Sequence, residues 1–394
     1  MRWVICPEWV DPTPAGPAGT TVPASSGTSA RPNASALPGT PGHPDTPSLP
    51  GTAADVILTG SVFWDLVMTG LPRIPANGEE IRAETMATAP GGVANLAVAC
   101  ARLGLRTGLA TVLGHDMAGR FCLSVLAAEG IDVSACRICP DWTTPVTVSV
   151  THAGDRRMFT HQKPAPVTTD ELLAGAACPR AALVDLGQLH AGEGADWTRA
   201  AAAAGTAVIA DIGFDETGRW DRGVLAELAV CSAFLPNAVE ACGLTRRDSA
   251  RSAARALAER VPVIVVTDGL SGAWAVDSGS GEEVHAEAVL VPAESVIDAT
   301  GAGDVFDAAF TWASLAGWPL AQRLDLACLV SSLAVRGLTG SMGCPGWAEI
   351  GAWWHGLSDS VDDQSMRRRF SFLDGLDQDA RAAAPAPAAI GWDL

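Results

Sequence analysis

Short apolar runs decide most about what this chain can fold into. "AALVDLGQL", "TAVIADIGF", "AFLPN" and "VPVIVVTDG" are too brief for helices and show no polar alternation. Helical stretches such as "SAARALAERV" separate them. A strand apolar on both faces must be covered on both faces, and helices between such strands supply parallel crossovers. The pattern starts at "DVILTGSVFWDLV", continues through "VANLAVACARLGL" with Gly104 as a helix stop, and then through "TGLATVLG" and "AGRFCLSVLAAEGI". The fold class that follows is α/β, three layers, with a mostly parallel central sheet.

Two stretches break the rhythm. Residues 66–90 and 143–161 carry β-branched residues in alternation around the turn signals "ANGE" and "AGDR". Both read as hairpins outside the main sheet, able to pair into a small second sheet that forms a lid over the strand ends. Residues 1–53 are dominated by Pro, Ala, Gly, Ser and Thr and cannot bury enough apolar surface to offset their ordering entropy, so they read as a disordered tail. The domain then runs over 54–356. Residues 357–394, ending in "RAAAPAPAAIGWDL", read as a second, loose tail after a short helix near 366–376.

Charge narrows the function. The formal net charge of −18, with 44 acids against 26 bases, argues against nucleic acid or an anionic membrane as the main partner. Lys163 is the only lysine, and no GxxxxGK[ST] loop occurs. The ten cysteines stand mostly in apolar contexts, as buried thiols do in a reducing compartment. The pair Cys136 and Cys139 in "ACRICP" has no second pair to complete a zinc site and reads as two strand or loop cysteines. No run approaches the roughly 20 apolar residues of a membrane span, and the start has no signal-peptide pattern. The expected location is the cytoplasm.

The chemistry concentrates in "DATGAGDVFDAAF", residues 298–310. A plain helix start, with Thr300 as its cap, needs neither glycine and would carry its acid where Gly303 stands. Gly301, Ala302 and Gly303 instead offer backbone N–H groups to an anion, aided by the helix dipole. Asp304, one residue on, makes sense beside a phosphate as the acceptor of a proton from an attacking hydroxyl.

This stretch closely resembles the C-terminal signature of the ribokinase family, the phosphofructokinase B type of carbohydrate kinases. "PGGVANLAVACARLG" is similar to the family's N-terminal signature, and "GHDMAGRFCLSVLAAEGID" to the segment that follows it. "PNAVEA" is similar to its Asn-x-x-Glu, and "TDGLSG" to its Thr-x-Gly-x-x-Gly nucleotide loop. The resemblance covers about 54–356. It implies a three-layer α/β domain with a small β lid, ATP and Mg²⁺ as cofactors, and K⁺ as a further candidate. It also implies Asp304 as catalytic base and Gly301, Ala302 and Gly303 as anion hole. Asn237 and Glu240 would organise the Mg²⁺–phosphate end of ATP, Glu240 through water. Thr267, Gly269 and Gly272 would cradle the nucleotide. Asp65, Gly91, Gly92 and Asn95 would bind the acceptor, and Asp298 and Thr300 a monovalent cation. Read without the family, Asn237 is an N-cap, Asp298 is turn chemistry and "DGLSG" is an ordinary turn.

Two departures stand out. Only Val93 and Ala94 separate the glycine pair from Asn95, where the family has three residues, and Ala309 replaces a common glycine. The implied activity is phosphorylation of a hydroxyl on a small sugar or sugar-like acceptor. The alternatives are a nucleoside kinase, a sugar-phosphate kinase using Arg73, Arg82, Arg156, Arg157 or Lys163, and a catalytically silent sugar-binding protein. The partner implied besides the acceptor is a second copy, joined through the lid.

Overall fold

The computed structural model describes residues 54–152, 155–292, 295–358 and 360–374. The tail expected over 1–53 and the terminal stretch 375–394 lie outside the described residues. Strands follow in chain order as β1 (Val56–Thr59), β2 (Val62–Thr69), β3 (Thr85–Gly92), β4 (Thr107–Ala110), β5 (Val112–Gly114), β6 (Arg137–Cys139) and β7 (Val146–His152). They continue as β8 (Asp155–His161), β9 (Ala181–Asp185), β10 (Ala207–Asp211), β11 (Ala233–Phe234), β12 (Val263–Thr267), β13 (Ala273–Asp277) and β14 (Glu282–Ala286).

Eight strands form the main sheet in the order β14-β13-β12-β11-β10-β9-β1-β4. The pairs from β4 to β12 are parallel, and β12, β13 and β14 close the edge as antiparallel neighbours. The apolar runs are continuous because each strand serves two cores. In β9, Leu183 joins the core that contains the helices Val93–Arg102, Ala302–Leu315 and Leu320–Ala334, whereas Ala182 and Val184 join the opposite one. Ile209 and its neighbours Val208 and Ala210 divide the same way in β10. Helices on both faces make three layers, as the alternation of runs requires.

The two irregular stretches form a second sheet of order β3-β2-β7-β8. Strand β2 pairs antiparallel with β3 and parallel with β7, while β7 and β8 form a hairpin. The "ANGE" turn exists, with Glu79 N–H on Ala76 O at 3.0 Å, but it lies within the long connection between β2 and β3 rather than at a strand junction.

The segment expected to be loose after residue 356 is packed in its described part. A helix spans Val361–Arg369, and Phe370 and Leu373 are buried in the main core. Arg369 Nε meets Asp325 Oδ1 at 2.6 Å, and Trp354 Nε1 donates to Asp374 Oδ1 at 3.1 Å. The physical reason is local: Phe370, Phe372 and Leu373 outweigh the charged residues around them, and aromatic contacts to Trp318 and Trp353 hold them. The packed domain therefore reaches residue 374.

Candidate active site

The helix Ala302–Leu315 begins in the middle of the glycine-rich stretch, with Gly301 as N-cap and no side chain capping it, so Thr300 is not the cap. Gly301 has φ 75°, and a Cβ there would stand 2.8 Å from the Cα of Gly340. Backbone conformation and close approach both demand glycine at this position. Gly303 is different, because a Cβ on it would meet nothing within 4 Å. A glycine in a first helical turn costs up to about 1 kcal/mol relative to alanine, and no protein atom explains it. The open space lies over N–H groups that have no acceptor within their own helix, the ordinary setting for an anion. Gly303→Ala is accordingly expected to raise stability by roughly 0.4–1 kcal/mol while weakening nucleotide binding. Thermal melting and nucleotide titration of one variant check both halves.

Two cavities meet at this helix start. The smaller, about 140 Å³, is bordered by Ala302 and Gly303 and by Thr267, Gly269 and Gly272 from the loop after β12. Cys328 and Ser331 of the helix Leu320–Ala334 complete its wall. The larger, about 300 Å³, lies between the lid and the carboxyl ends of β1, β9 and β10, and Asp304 and Asp307 border it. Its lid side is formed by Ser61, Phe63, Gly92 and Gln162. One step along the helix, from Gly303 to Asp304, passes from one cavity to the other.

Asn95 and Asp65 stand behind this wall rather than on it. Asn95 is buried in the first turn of the helix Val93–Arg102, which starts directly after β3, and its Nδ2 donates to Asp304 Oδ2 at 3.1 Å. The start of this helix thus presents an amide to the carboxylate of Asp304. Asp65 lies on the same face of β2 as Phe63, two residues away. Its carboxylate covers Gly91, where a Cβ would fall 1.9 Å from Oδ2, so the first glycine of the pair exists to seat Asp65. Of the four residues implied for the acceptor, Gly92 is the one that borders the larger cavity.

Asn237 and Glu240 form a reciprocal cap at the start of the helix Ala238–Thr245. Asn237 Oδ1 accepts from the N–H groups of Val239 and Glu240, and Glu240 Oε2 accepts from Asn237 N–H at 2.8 Å. Asn237 also bridges to Thr267, which links this cap to the smaller cavity. Asp298 serves the turn before the glycines, its two oxygens accepting N–H bonds from Thr300 at 2.9 Å and Thr339 at 3.2 Å.

Further acids converge here. Asp185 and Asp211 end β9 and β10, and Asp307 lies one turn beyond Asp304. Burial, then the charges of Glu240, Asp304 and Asp185, hold the carboxyl of Asp211 well above its ordinary range. Burial and then Asp211, Asp304 and Glu240 do the same to Asp307. Burial likewise raises Asp185, partly offset by the N–H groups of Gln188 and Gly213. Burial pushes Glu240 up to about 7 against the lowering pull of its bonds with Asn237. A carboxyl raised on folding keeps its proton where the unfolded chain has lost it. Its contribution to stability is therefore full below pH 4.5 and lost as pH rises through about 7. The melting temperature of the ligand-free protein should fall from pH 5 to pH 8, and Glu240→Gln, which keeps the cap, should flatten that fall.

Asp185, Asp211 and Asp307 are functional candidates that motif reading passes over. A signal was present: each of the first two ends an apolar strand at the carboxyl edge of a parallel sheet, where ligands of such sheets bind. Asp307 is the i+3 neighbour of Asp304 and shares its helix face.

Comparison with known proteins adds the following. The family model described as pfkB family carbohydrate kinase matches residues 54–342. An aminoimidazole riboside kinase of Salmonella typhimurium is 41% identical over 73 residues, 18% of this chain and 23% of that protein. The bifunctional protein HldE of Azotobacter vinelandii is 30% identical over 299 residues, 71% of this chain and 60% of that protein. The chain spans less than two thirds of the length of either. Arabidopsis thaliana ribokinase, solved with ribose and ATP, superposes with a TM-score of 0.64 at 24% identity, covering 76% of this chain and 98% of its own. An E. coli protein described as a ribokinase II, solved with ATP and Mg²⁺, gives 0.65 at 20% identity, with 77% and 99% covered. These structures share the fold.

Proposed function

Because the chain belongs to the pfkB family of carbohydrate kinases, we propose that it transfers the terminal phosphoryl group of ATP to a hydroxyl of a small sugar-like acceptor that carries no negative charge. One observation carries this reading: a single helix start separates two cavities, with the first residues of the helix bordering one and a carboxylate bordering the other. ATP occupies the cavity of Thr267, Gly269 and Gly272 and lays its phosphates over Gly301, Ala302 and Gly303. The acceptor fills the other cavity and gives its proton to Asp304 as its oxygen attacks in line. Asn95 holds the Asp304 carboxylate in aim, and Asp65 shapes the lid face above it.

The acids fit a cation carried by the nucleotide better than a resident one. Among the described residues no group of three or more His, Cys, Asp or Glu side chains is arranged to hold a metal ion. Mg²⁺ bound to the phosphates would reach Glu240 and Asp211 through water and offset charge on the transferring group. Asp298 and Thr300 are the candidate seat of K⁺, which substitution of NaCl for KCl in the assay examines.

The shape and charge of the larger cavity rank the acceptors. About 300 Å³ is the low end for ligand sites and suits a small acceptor. No lysine, arginine or histidine is among its lining residues, which disfavours sugar phosphates. Arg73 is tied to Glu79 in the exposed connection between β2 and β3. An ADP-release assay across pentoses, hexoses, sugar acids, sugar phosphates and nucleosides tests the reading. Absence of acceptor-dependent ADP release over the whole panel refutes it.

The lid also supports a second copy as partner. Register places Leu66, Met68, Met86, Val148 and Phe159 on one face of the sheet. Met86 and Phe159 are 52% and 67% exposed. A face of this kind is buried by association, and a dimeric mass in solution at micromolar concentration is expected; a monomer contradicts it. No described helix is long and apolar enough to cross a membrane. Every cysteine among the described residues is free, which supports a reducing compartment such as the cytoplasm.

A further inference from the structure

Four aspartates, Asp185, Asp211, Asp304 and Asp307, border the larger cavity. Three of them have donors within the protein. Asp304 takes the Asn95 amide, Asp185 takes the N–H groups of Gln188 and Gly213, and Asp211 takes that of Ile212. Asp307 has none among the described residues, although it is only 4% exposed. Its carboxyl oxygens are not fully enclosed, so a ligand in the cavity can reach them, and a nearly buried carboxyl without a protein donor is costly unless something completes it. The cavity is the side from which that donor can come, since Asp307 forms part of its wall.

The donor could be a hydroxyl or an ammonium, and charge separates the two. Asp307 faces the acids Asp211, Asp304 and Glu240, which resist one another's ionisation, with no cationic side chain on the cavity wall. A hydroxyl would satisfy the hydrogen bond but bring no charge that lets these acids ionise together. An ammonium supplies three donors and a compensating charge. A bare metal ion is a poor substitute, because the acids are not arranged to coordinate one.

We propose that the preferred acceptor is an amine-bearing polyol, an amino sugar or a close analogue, whose ammonium group is received by Asp307 while a separate hydroxyl faces Asp304. This specificity deepens the kinase reading above, and turnover of such a compound rests on that reading; its binding does not.

The test is calorimetric titration of the full chain at pH 7 with matched pairs: D-glucosamine and D-glucose, D-galactosamine and D-galactose, 1-amino-1-deoxy-D-fructose and D-fructose. The same pairs are run in the ADP-release assay. At least one amine should bind about tenfold or more tightly than its hydroxyl counterpart, as a charge-assisted bond in a dry site allows. Asp307→Asn should shrink that ratio to less than about threefold, and Asp307→Glu, which restores the charge, should keep it. Melting curves of both variants verify that they fold. If no pair favours the amine, whether through equal affinity or because neither member binds, the inference is overturned. Amine preference in calorimetry with no ADP release from these compounds or from the wider panel would sink the kinase reading and leave this one standing. ADP release without amine preference would do the reverse.

Discussion

Asparagine in place of Asp304 should reduce kcat by about 10²–10⁴-fold, the usual worth of a general base, equivalent to about 3–5 kcal/mol of barrier. The fold has no reason to suffer. Asparagine is nearly isosteric, it is well tolerated in a first helical turn, and it can still accept the Asn95 amide through its carbonyl oxygen. Electrostatics even favour the variant at rest, because the Asp304 charge helps to raise Asp211, Asp307 and Glu240. Melting temperature should therefore hold or rise, and ATP affinity should hold or improve with one negative charge fewer beside its phosphates. Steady-state ADP release, melting curves and ATP titration together isolate the proton-accepting role. Turnover near the wild-type rate would show that Asp304 is only a helix-start residue.

The largest effect on stability is expected from Arg102→Leu. Arg102 holds Glu129 through two bonds, Nε to Oε2 at 2.9 Å and Nη2 to Oε1 at 2.8 Å, and both side chains are almost wholly buried. Its Nη1 also donates to the carbonyls of Met342 and Cys344. Leucine would leave Glu129 as an uncompensated buried charge, costing about 3–5 kcal/mol. The melting temperature should drop by on the order of 6–10 °C. Adding Glu129→Leu should recover much of the loss, since removing both charges also removes the desolvation penalty. No recovery in the double variant would mean that the carbonyl bonds, and not the ion pair, dominate. Activity should fall as well, because the anchored loop places Gly340 against Gly301 and lets Ser341 Oγ donate to Pro90 O at 2.6 Å.

Fold and site differed in how far they could be read from the chain. The main sheet was legible because burial on both faces leaves a mark in every strand: Ala182, Leu183 and Val184 have to be apolar together. The lid was legible for the opposite reason, as alternation signals one exposed face. Gly301 and Gly303 were conspicuous because glycine is costly in a helix start. The carboxylates of Asp185 and Asp211 left no such mark; an aspartate after an apolar run also reads as a strand end or a cap, and Asp185 is a cap too. Asn95 was placed with the acceptor by its motif; its bond to Asp304, 209 residues away in the chain, is visible only in the path of the backbone. The terminal helix was obscured by charge: "VDDQSMRRR" has little to bury, and what anchors it are the aromatic residues that follow.

The join between lid and core has no slack. Strand β3 ends at Gly92 and the helix Val93–Arg102 begins at the next residue. The corner is boxed in, since Val93 N–H bonds to Ser61 O at 3.2 Å and a Cβ on Gly92 would strike that same oxygen and the ring of Phe63. Three residues past the corner, Asn95 grips Asp304. A rigid elbow of this kind would act as a lever: a swing of the lid would turn the first helical turn with it and move the amide bonded to Asp304. Lid position and the alignment of Asp304 would then be a single mechanical coordinate. Under the proposed function, an acceptor that drew the lid down would set that alignment in the same movement, without any separate signal passing through the core.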